Sequence, residues 1–202
     1  MKPGKGTMEE LRHAVDGDAE RALAALGKRN LVIVGLMGAG KSAIGKLVAQ
    51  MLGIPFIDSD HEIERVSRMT IPELFQAYGE PEFRKLEQRV IKRLLRTGPR
   101  VLSTGGGAFM SEETRALIRD NGLSLWLDAD LDVLWERVIK RDNRPLLKTK
   151  NPKKTLEDLM IARYPTYALA HLTVKSRDIK KDMVASEVIA AVASTLENAD
   201  HG

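Results

Sequence analysis

The sequence predicts an α/β fold with a parallel sheet, on three observations. From Leu31 onward, short apolar runs alternate with amphipathic stretches, the pattern of successive βα units. The first run, Leu31–Val34, ends in a glycine-rich turn that opens an amphipathic helix. No apolar run approaches the ~18 residues needed to span a bilayer, so the alternation describes a water-soluble layered fold.

Each element follows in chain order. Residues 1–29 read as an N-terminal helical extension, with a helix from about Met8 to Leu26. Its apolar positions, Leu11, Ala14, Val15, Ala22 and Leu26, form only a partial stripe, which leaves open whether it packs, joins subunits or frays. The expected domain, 30–202, starts with strand Leu31–Val34 and a helix carrying Ile44, Leu47, Val48, Met51 and Leu52 on one face. Further strands are expected at Pro55–Ile57, Val101–Ser103, Ser124–Leu127 and Leu172–Val174. Thr70 followed by Glu73 reads as a capping box opening a helix through Phe75. Other helices are expected at Phe83–Leu95, after an Asp130 cap through Leu134 and Val138, and at about Met183–Leu196. Residues 143–155, with two prolines and four lysines, are the expected mobile lid.

Composition removes several function classes. The chain has no cysteine, which excludes disulfides, thiolate zinc sites and cysteine nucleophiles and fits a reducing compartment. No signal-peptide core follows Met1, and Glu9, Glu10, Asp16, Asp18 and Glu20 argue against a transit peptide. A cytoplasmic protein is expected. The net charge of +4 invites a nucleic-acid reading, but basic and acidic residues are interleaved except between Lys140 and Lys154. With only 4% aromatic residues there is little to stack bases, so no nucleic-acid or membrane partner is expected. The basic stretch is read instead as a loop that closes over nucleotide phosphates.

Gly35-Leu36-Met37-Gly38-Ala39-Gly40-Lys41-Ser42 matches G-x-x-x-x-G-K-[ST] between a strand and a helix, the P-loop context. Its glycines allow a sharp turn whose N–H groups converge, and the helix that follows adds its own free N–H groups. Gly38, Ala39, Gly40, Lys41, Ser42 and Ala43 are the expected nucleotide cradle, Lys41 reaching the β- and γ-phosphates and Ser42 ligating magnesium. No N/T-K-x-D sequence is present to read guanine, which leaves a compact kinase that uses ATP.

The acceptor must be read from the remaining strand ends. Asp58 and Asp60, two residues apart after the second strand, fall on the same side of the sheet's carboxyl edge, where ligands bind in open α/β folds. One can help hold magnesium while the other meets an acceptor hydroxyl. Taken alone, they equally suit a polar turn that caps a helix. Arg84, in Gly79-Glu80-Pro81-Glu82-Phe83-Arg84-Lys85-Leu86-Glu87, is a candidate clamp for a carboxylate. Gly105-Gly106-Gly107 at the third strand's end permits close backbone approach. Arg141, Arg144 and Arg163 are each ordinary surface charges alone, but separated arginines within one βα framework suit an anionic ligand.

Together these motifs resemble the shikimate kinase family, in the nucleoside-monophosphate-kinase-like group of P-loop folds. The resemblance rests on Asp58–Glu64, Gly79–Glu87, the triple glycine, Arg144-Pro145-Leu146-Leu147 and Arg163-Tyr164-Pro165-Thr166-Tyr167. It implies a three-layer α/β/α fold with a five-stranded parallel sheet of order 2-3-1-4-5. It implies transfer of the ATP γ-phosphate to the 3-hydroxyl of shikimate, with Mg2+, in aromatic amino-acid biosynthesis. By matching positions, Asp60, Arg84, Gly106, Gly107 and Arg163 would hold shikimate, and Asp58 would sit near magnesium with Ser42. Arg144 would reach the transferring phosphate from the lid, and Arg141 and the Ser176-Arg177 segment would flank the adenine. Asp60 would either orient the hydroxyl or accept its proton. A monomer suffices for such an enzyme. The extension and the apolar Ala168-Leu169-Ala170 segment depart from the family pattern.

Two rivals remain. Another small-metabolite kinase, such as a gluconate kinase, would share the P-loop but has no need of several arginines for one carboxylate. A non-catalytic nucleotide-binding regulator has no reason to keep Lys41, Asp60 and Arg144 together.

Overall fold

A computed structural model of the chain describes residues 17–140, 145–147 and 149–199. Five strands, β1 (Asn30–Val34), β2 (Phe56–Asp58), β3 (Val101–Ser103), β4 (Gly122–Asp128) and β5 (Leu172–Lys175), form one sheet in the order 2-3-1-4-5. Every neighbouring pair is parallel. The central strand β1 is buried along its whole length, which is why it reads as a continuous apolar run rather than an alternation. Its register aligns Ile33 with Ser103 on one side and Leu125 on the other, while Asp58 aligns with Ser103. The carboxyl ends of β1, β2 and β3 therefore meet along one edge of the sheet.

Eight α-helices among the described residues flank this sheet: α1 (17–26), α2 (Lys41–Leu52), α3 (Ser59–Ser67), α4 (Ile71–Leu95), α5 (Glu112–Asn121), α6 (Leu131–Val138), α7 (Pro152–Tyr167) and α8 (Lys181–Ala199). Helix α2 packs on α8, α4 on α5 and α6 on α7. None is long and apolar enough to cross a membrane.

The helices differ from expectation in instructive ways. In α2 the buried face is Ile44, Gly45, Val48, Ala49 and Leu52, while Leu47 and Met51 are only part-buried. Gly45 explains the rotation: a Cβ there would lie 2.7 Å from the Phe56 ring, so the helix seats its small residues against β2. The capping box of α4 forms as expected, Thr70 and Glu73 exchanging side-chain and backbone bonds. The two helices expected before and after Glu80 are both present within the span of α4, separated by a non-helical Gly79 (φ 76, ψ 171) with Pro81 in the first turn of the second. Asp130 stands at the N-cap of α6 but makes no cap bond. Its carboxylate accepts instead from Lys175 on β5 at 2.7 Å. Arg163–Tyr167 do not follow a helix but form the end of α7, with Pro165 inside it. Residues 152–155 of the expected lid are the first turn of α7. Helix α5 was not anticipated, although Ser111 accepts from the Thr114 N–H as an N-cap.

Of the alternatives left open for the extension, its described part takes the first, packing on the domain. Within α1, Ala22 and Leu26 are 0% exposed and Ala25 is 7% exposed, so this part of the chain belongs to the core. Leu11, Ala14 and Val15 lie outside the described residues.

Candidate active site

The loop between β1 and α2 has the geometry that its glycines allow. Gly35, Gly38 and Gly40 have φ of 139°, 86° and 94°. At Gly35 the space also excludes a side chain, because a Cβ would lie 2.8 Å from the Leu127 carbonyl on β4. Gly40 is the N-cap residue of α2, so the unpaired N–H groups of the helix's first turn open onto this loop. The Lys41 ammonium donates to the carbonyls of Gly35 and Leu36 at 2.8 and 3.1 Å, folding the side chain back over the loop. Ala43 lies in the first turn of α2.

Two long-range contacts brace this loop from below. Ser176, 1% exposed after β5, donates to the Ala39 carbonyl at 2.8 Å. Arg137 at the end of α6 donates to Ser176 Oγ (2.9 Å), to the Gly38 carbonyl (3.3 Å) and to the Arg177 carbonyl (2.6 Å). The sequence reading missed Arg137, and no local signal marks it. Its partners are 99, 39 and 40 residues away along the chain. Arg177 itself pairs with Glu187 on α8.

The P-loop and the second strand end meet directly. Ser42 Oγ donates to Asp58 Oδ2 at 2.6 Å and lies 3.4 Å from Ser103 Oγ. The other Asp58 oxygen accepts from the Asp60 N–H at 3.0 Å, so Asp58 also caps α3. Asp58 thus caps α3 as its place before a helix suggested, and the same carboxylate meets the P-loop serine. This cap fixes the next turn so that Asp60 faces the glycine run of β3. A Cβ on Gly105 would lie 2.7 Å from Asp60 Oδ1 and 2.9 Å from Glu87 Oε1. Burial raises the Asp60 pKa above the ordinary carboxylate value, Asp58 adds to the rise and Lys41 opposes it.

Opposite stands the arginine side. Arg84 donates from Nη1 to Glu87 at 2.7 Å and from Nη2 and Nε to Glu80 at 2.9 and 3.2 Å. A Cβ on Gly107 would fall against this guanidinium, so any side chain there would have to displace Arg84. Glu87 is 3% exposed, and its burial raises its pKa although Arg84 pulls the other way. Arg163 donates to the Gly106 carbonyl at 3.1 Å, and the Tyr167 hydroxyl donates to the same oxygen. Burial pushes the Tyr167 phenol up to about 12, so it stays a neutral donor. Trp126, Tyr164 and Tyr167 form an aromatic cluster behind this wall.

One crevice therefore gathers Lys41, Ser42, Asp58, Asp60, Arg84, Arg163 and the glycines 105–107. Arg141 and Arg144 lie outside the described residues. Glu87 stood inside a quoted motif without a role, and the structure makes it the buried partner of Arg84.

Comparison with known proteins agrees with this geometry. The shikimate kinase family model matches residues 37–193. The chain is 70% identical over 184 residues to a shikimate kinase of Rhizobium leguminosarum bv. trifolii, covering 91% of this chain and 94% of that protein. It is 70% identical over 175 residues to one of Rhizobium meliloti, covering 87% and 91% respectively. A solved shikimate kinase from Acinetobacter baumannii, in complex with shikimate, superposes with a TM-score of 0.81 at 35% identity, covering 88% of this chain and 98% of that one. The match extends from inside the P-loop, through the acidic and arginine walls, into α8, and the chain belongs to the shikimate kinase family.

Proposed function

We propose that the crevice at the carboxyl edge of β1, β2 and β3 is where this kinase transfers the ATP γ-phosphate to the 3-hydroxyl of shikimate, a step in the route to aromatic amino acids. The observation that carries the assignment is the 2.6 Å bond from Ser42 to Asp58, which joins the phosphate loop to the strand end bearing Asp60. Nucleotide phosphates on one side and an acceptor hydroxyl on the other would be held a side chain's length apart.

The residues divide the work by their chemistry. The loop's free N–H groups and the helix end bind the phosphates, and Lys41 turns from the Gly35 and Leu36 carbonyls to the β- and γ-oxygens. Arg84 and Arg163 take the carboxylate of shikimate. Arg84 has two of its five N–H groups left after the bonds to Glu80 and Glu87, enough for a paired contact. Gly106 and Gly107 let the ring lie against the backbone. Asp60 accepts a hydrogen bond from the reacting hydroxyl, and the burial that raises its pKa makes it a stronger base toward that proton. On the sequence motifs alone, Arg144 would add positive charge at the transferring phosphate, and Arg141 and Arg177 would contact the adenine. A single chain supplies every residue named, so a monomer is sufficient.

The oxygens of Ser42 and Asp58 fit magnesium, a hard cation that takes one or two protein ligands and completes its shell with phosphate and water. Held by Ser42 and Asp58, magnesium would supply positive charge to offset that of the phosphates.

The test is an assay of ADP release with magnesium, ATP and a panel of shikimate, gluconate, a nucleoside monophosphate and no acceptor. ADP release only with shikimate is expected. Release with gluconate or without any acceptor would keep the P-loop and overturn the acceptor wall of Asp60, Arg84 and Arg163.

A further inference from the structure

We infer that Ser176 is a positioning residue for phosphate binding, acting by fixing the orientation of one P-loop peptide. This rests on the reading of Gly35–Ser42 as the nucleotide cradle.

The argument starts from peptide geometry. In a trans peptide the C=O of one residue and the N–H of the next point in opposite directions. The only cis bond in the described residues is Gly98–Pro99, so the Ala39–Gly40 peptide is trans. Its carbonyl is held on the buried side: Ala39 is 1% exposed, Ser176 is 1% exposed, and Ser176 Oγ donates to Ala39 O at 2.8 Å. The Gly40 N–H must then point the other way, toward the part-exposed mouth of the loop. Among the described residues it has no hydrogen-bond partner. It is a donor kept free for an anion.

The hydroxyl's direction is itself enforced. Arg137 Nη1 donates to Ser176 Oγ at 2.9 Å, which occupies a lone pair and turns the Ser176 proton toward Ala39. The Ser176 N–H donates to the Asp128 carbonyl at 2.6 Å, tying the residue to the end of β4. Gly40 has φ of 94°, where glycine meets little steric barrier to alternative backbone angles. The loop's own sequence therefore does not hold this peptide, and the hydroxyl from the far edge of the sheet does. This role differs from contact with the adenine, which would come from the same β5–α8 segment.

The experiment separates the two roles with three ligands titrated by calorimetry: ADP, tripolyphosphate with magnesium, and adenosine. For Ser176→Ala, binding of ADP and tripolyphosphate should weaken about three- to tenfold, the size of one net hydrogen bond. Adenosine binding should not change, and Ser176→Thr, which keeps the hydroxyl, should restore all three. Equal weakening of adenosine and tripolyphosphate, or unchanged tripolyphosphate binding, would overturn the inference. Should Ser176→Ala not fold, Ser176→Cys keeps the volume with a weaker donor and is judged by the same criteria. Lys41→Met is measured alongside. Retained turnover there would sink the cradle reading itself, whereas its loss beside an unaffected Ser176→Ala would sink only the role of Ser176.

Discussion

Asp60 is paid for in stability, and the sign follows from its surroundings. Burial and Asp58 raise its pKa above the ordinary aspartate value, so the folded protein binds that proton more tightly than the unfolded chain. The associated stability is fully present below the unfolded value and is lost as pH rises through the raised folded value. The ionised form of Asp60 is therefore a cost to stability carried for function. Asp60→Asn should raise the melting temperature by a few degrees at neutral pH, and the gain should vanish below about pH 4. Turnover should fall steeply in the same variant. A melting temperature unchanged or lowered at neutral pH would show that the carboxylate is not strained. At this scale the sequence displayed the acidic pair and the arginines, since each carries a recognisable spacing. It did not display Glu87, Arg137 or Ser176 as working parts, because their roles exist only through partners brought together by the sheet.

At the scale of elements, the glycine run after β3 is where backbone and side chains of three other elements converge. Gly107 has φ of −96°, so alanine is acceptable to its backbone. The obstacle is Arg84: the new Cβ would lie 2.4 to 2.7 Å from its guanidinium atoms. Arg84 cannot yield cheaply, being held by Glu80 on one edge and by buried Glu87 on the other. Gly107→Ala should raise the KM for shikimate about tenfold or more, with the KM for ATP near normal. Equal effects on both substrates, measured by initial rates, would mean that the glycine shapes the whole fold rather than the arginine wall. Elements were legible where the code is local: the Thr70–Glu73 box and the P-loop flanks formed as read. Asp130 looked equally like a cap, yet its carboxylate goes to Lys175, and only the pairing of β4 with β5 brings that lysine near. Helix α7 carries Pro165 within it and brings Arg163 and Tyr167 onto one carbonyl, that of Gly106.

The whole molecule sets where function and stability can be separated. The carboxyl ends of β1, β2 and β3 make the site, and α1 enters the fold at the opposite, amino end of β1. The family resemblance named the sheet order, which local pattern alone does not determine, while the partial stripe of residues 8–26 did not say whether that helix packs on the domain. Leu26 and Ala22 are 0% exposed, and Arg29 donates to the Ala25 carbonyl at 2.6 Å, closing the turn into β1. Helix α1 is thus a piece of the core placed far from the chemistry. Leu26→Ala should cost about 2–5 kcal/mol in urea unfolding, the range for a buried leucine in a packed interior. The kcat and both KM values, measured where the variant is fully folded, should stay within about twofold of the parent, a change of under ~0.5 kcal/mol in barrier. An unchanged unfolding midpoint would return α1 to the status of an appendage. A fall in kcat at full folding would mean that the amino end of β1 is coupled through the strand to the loop that holds the phosphates.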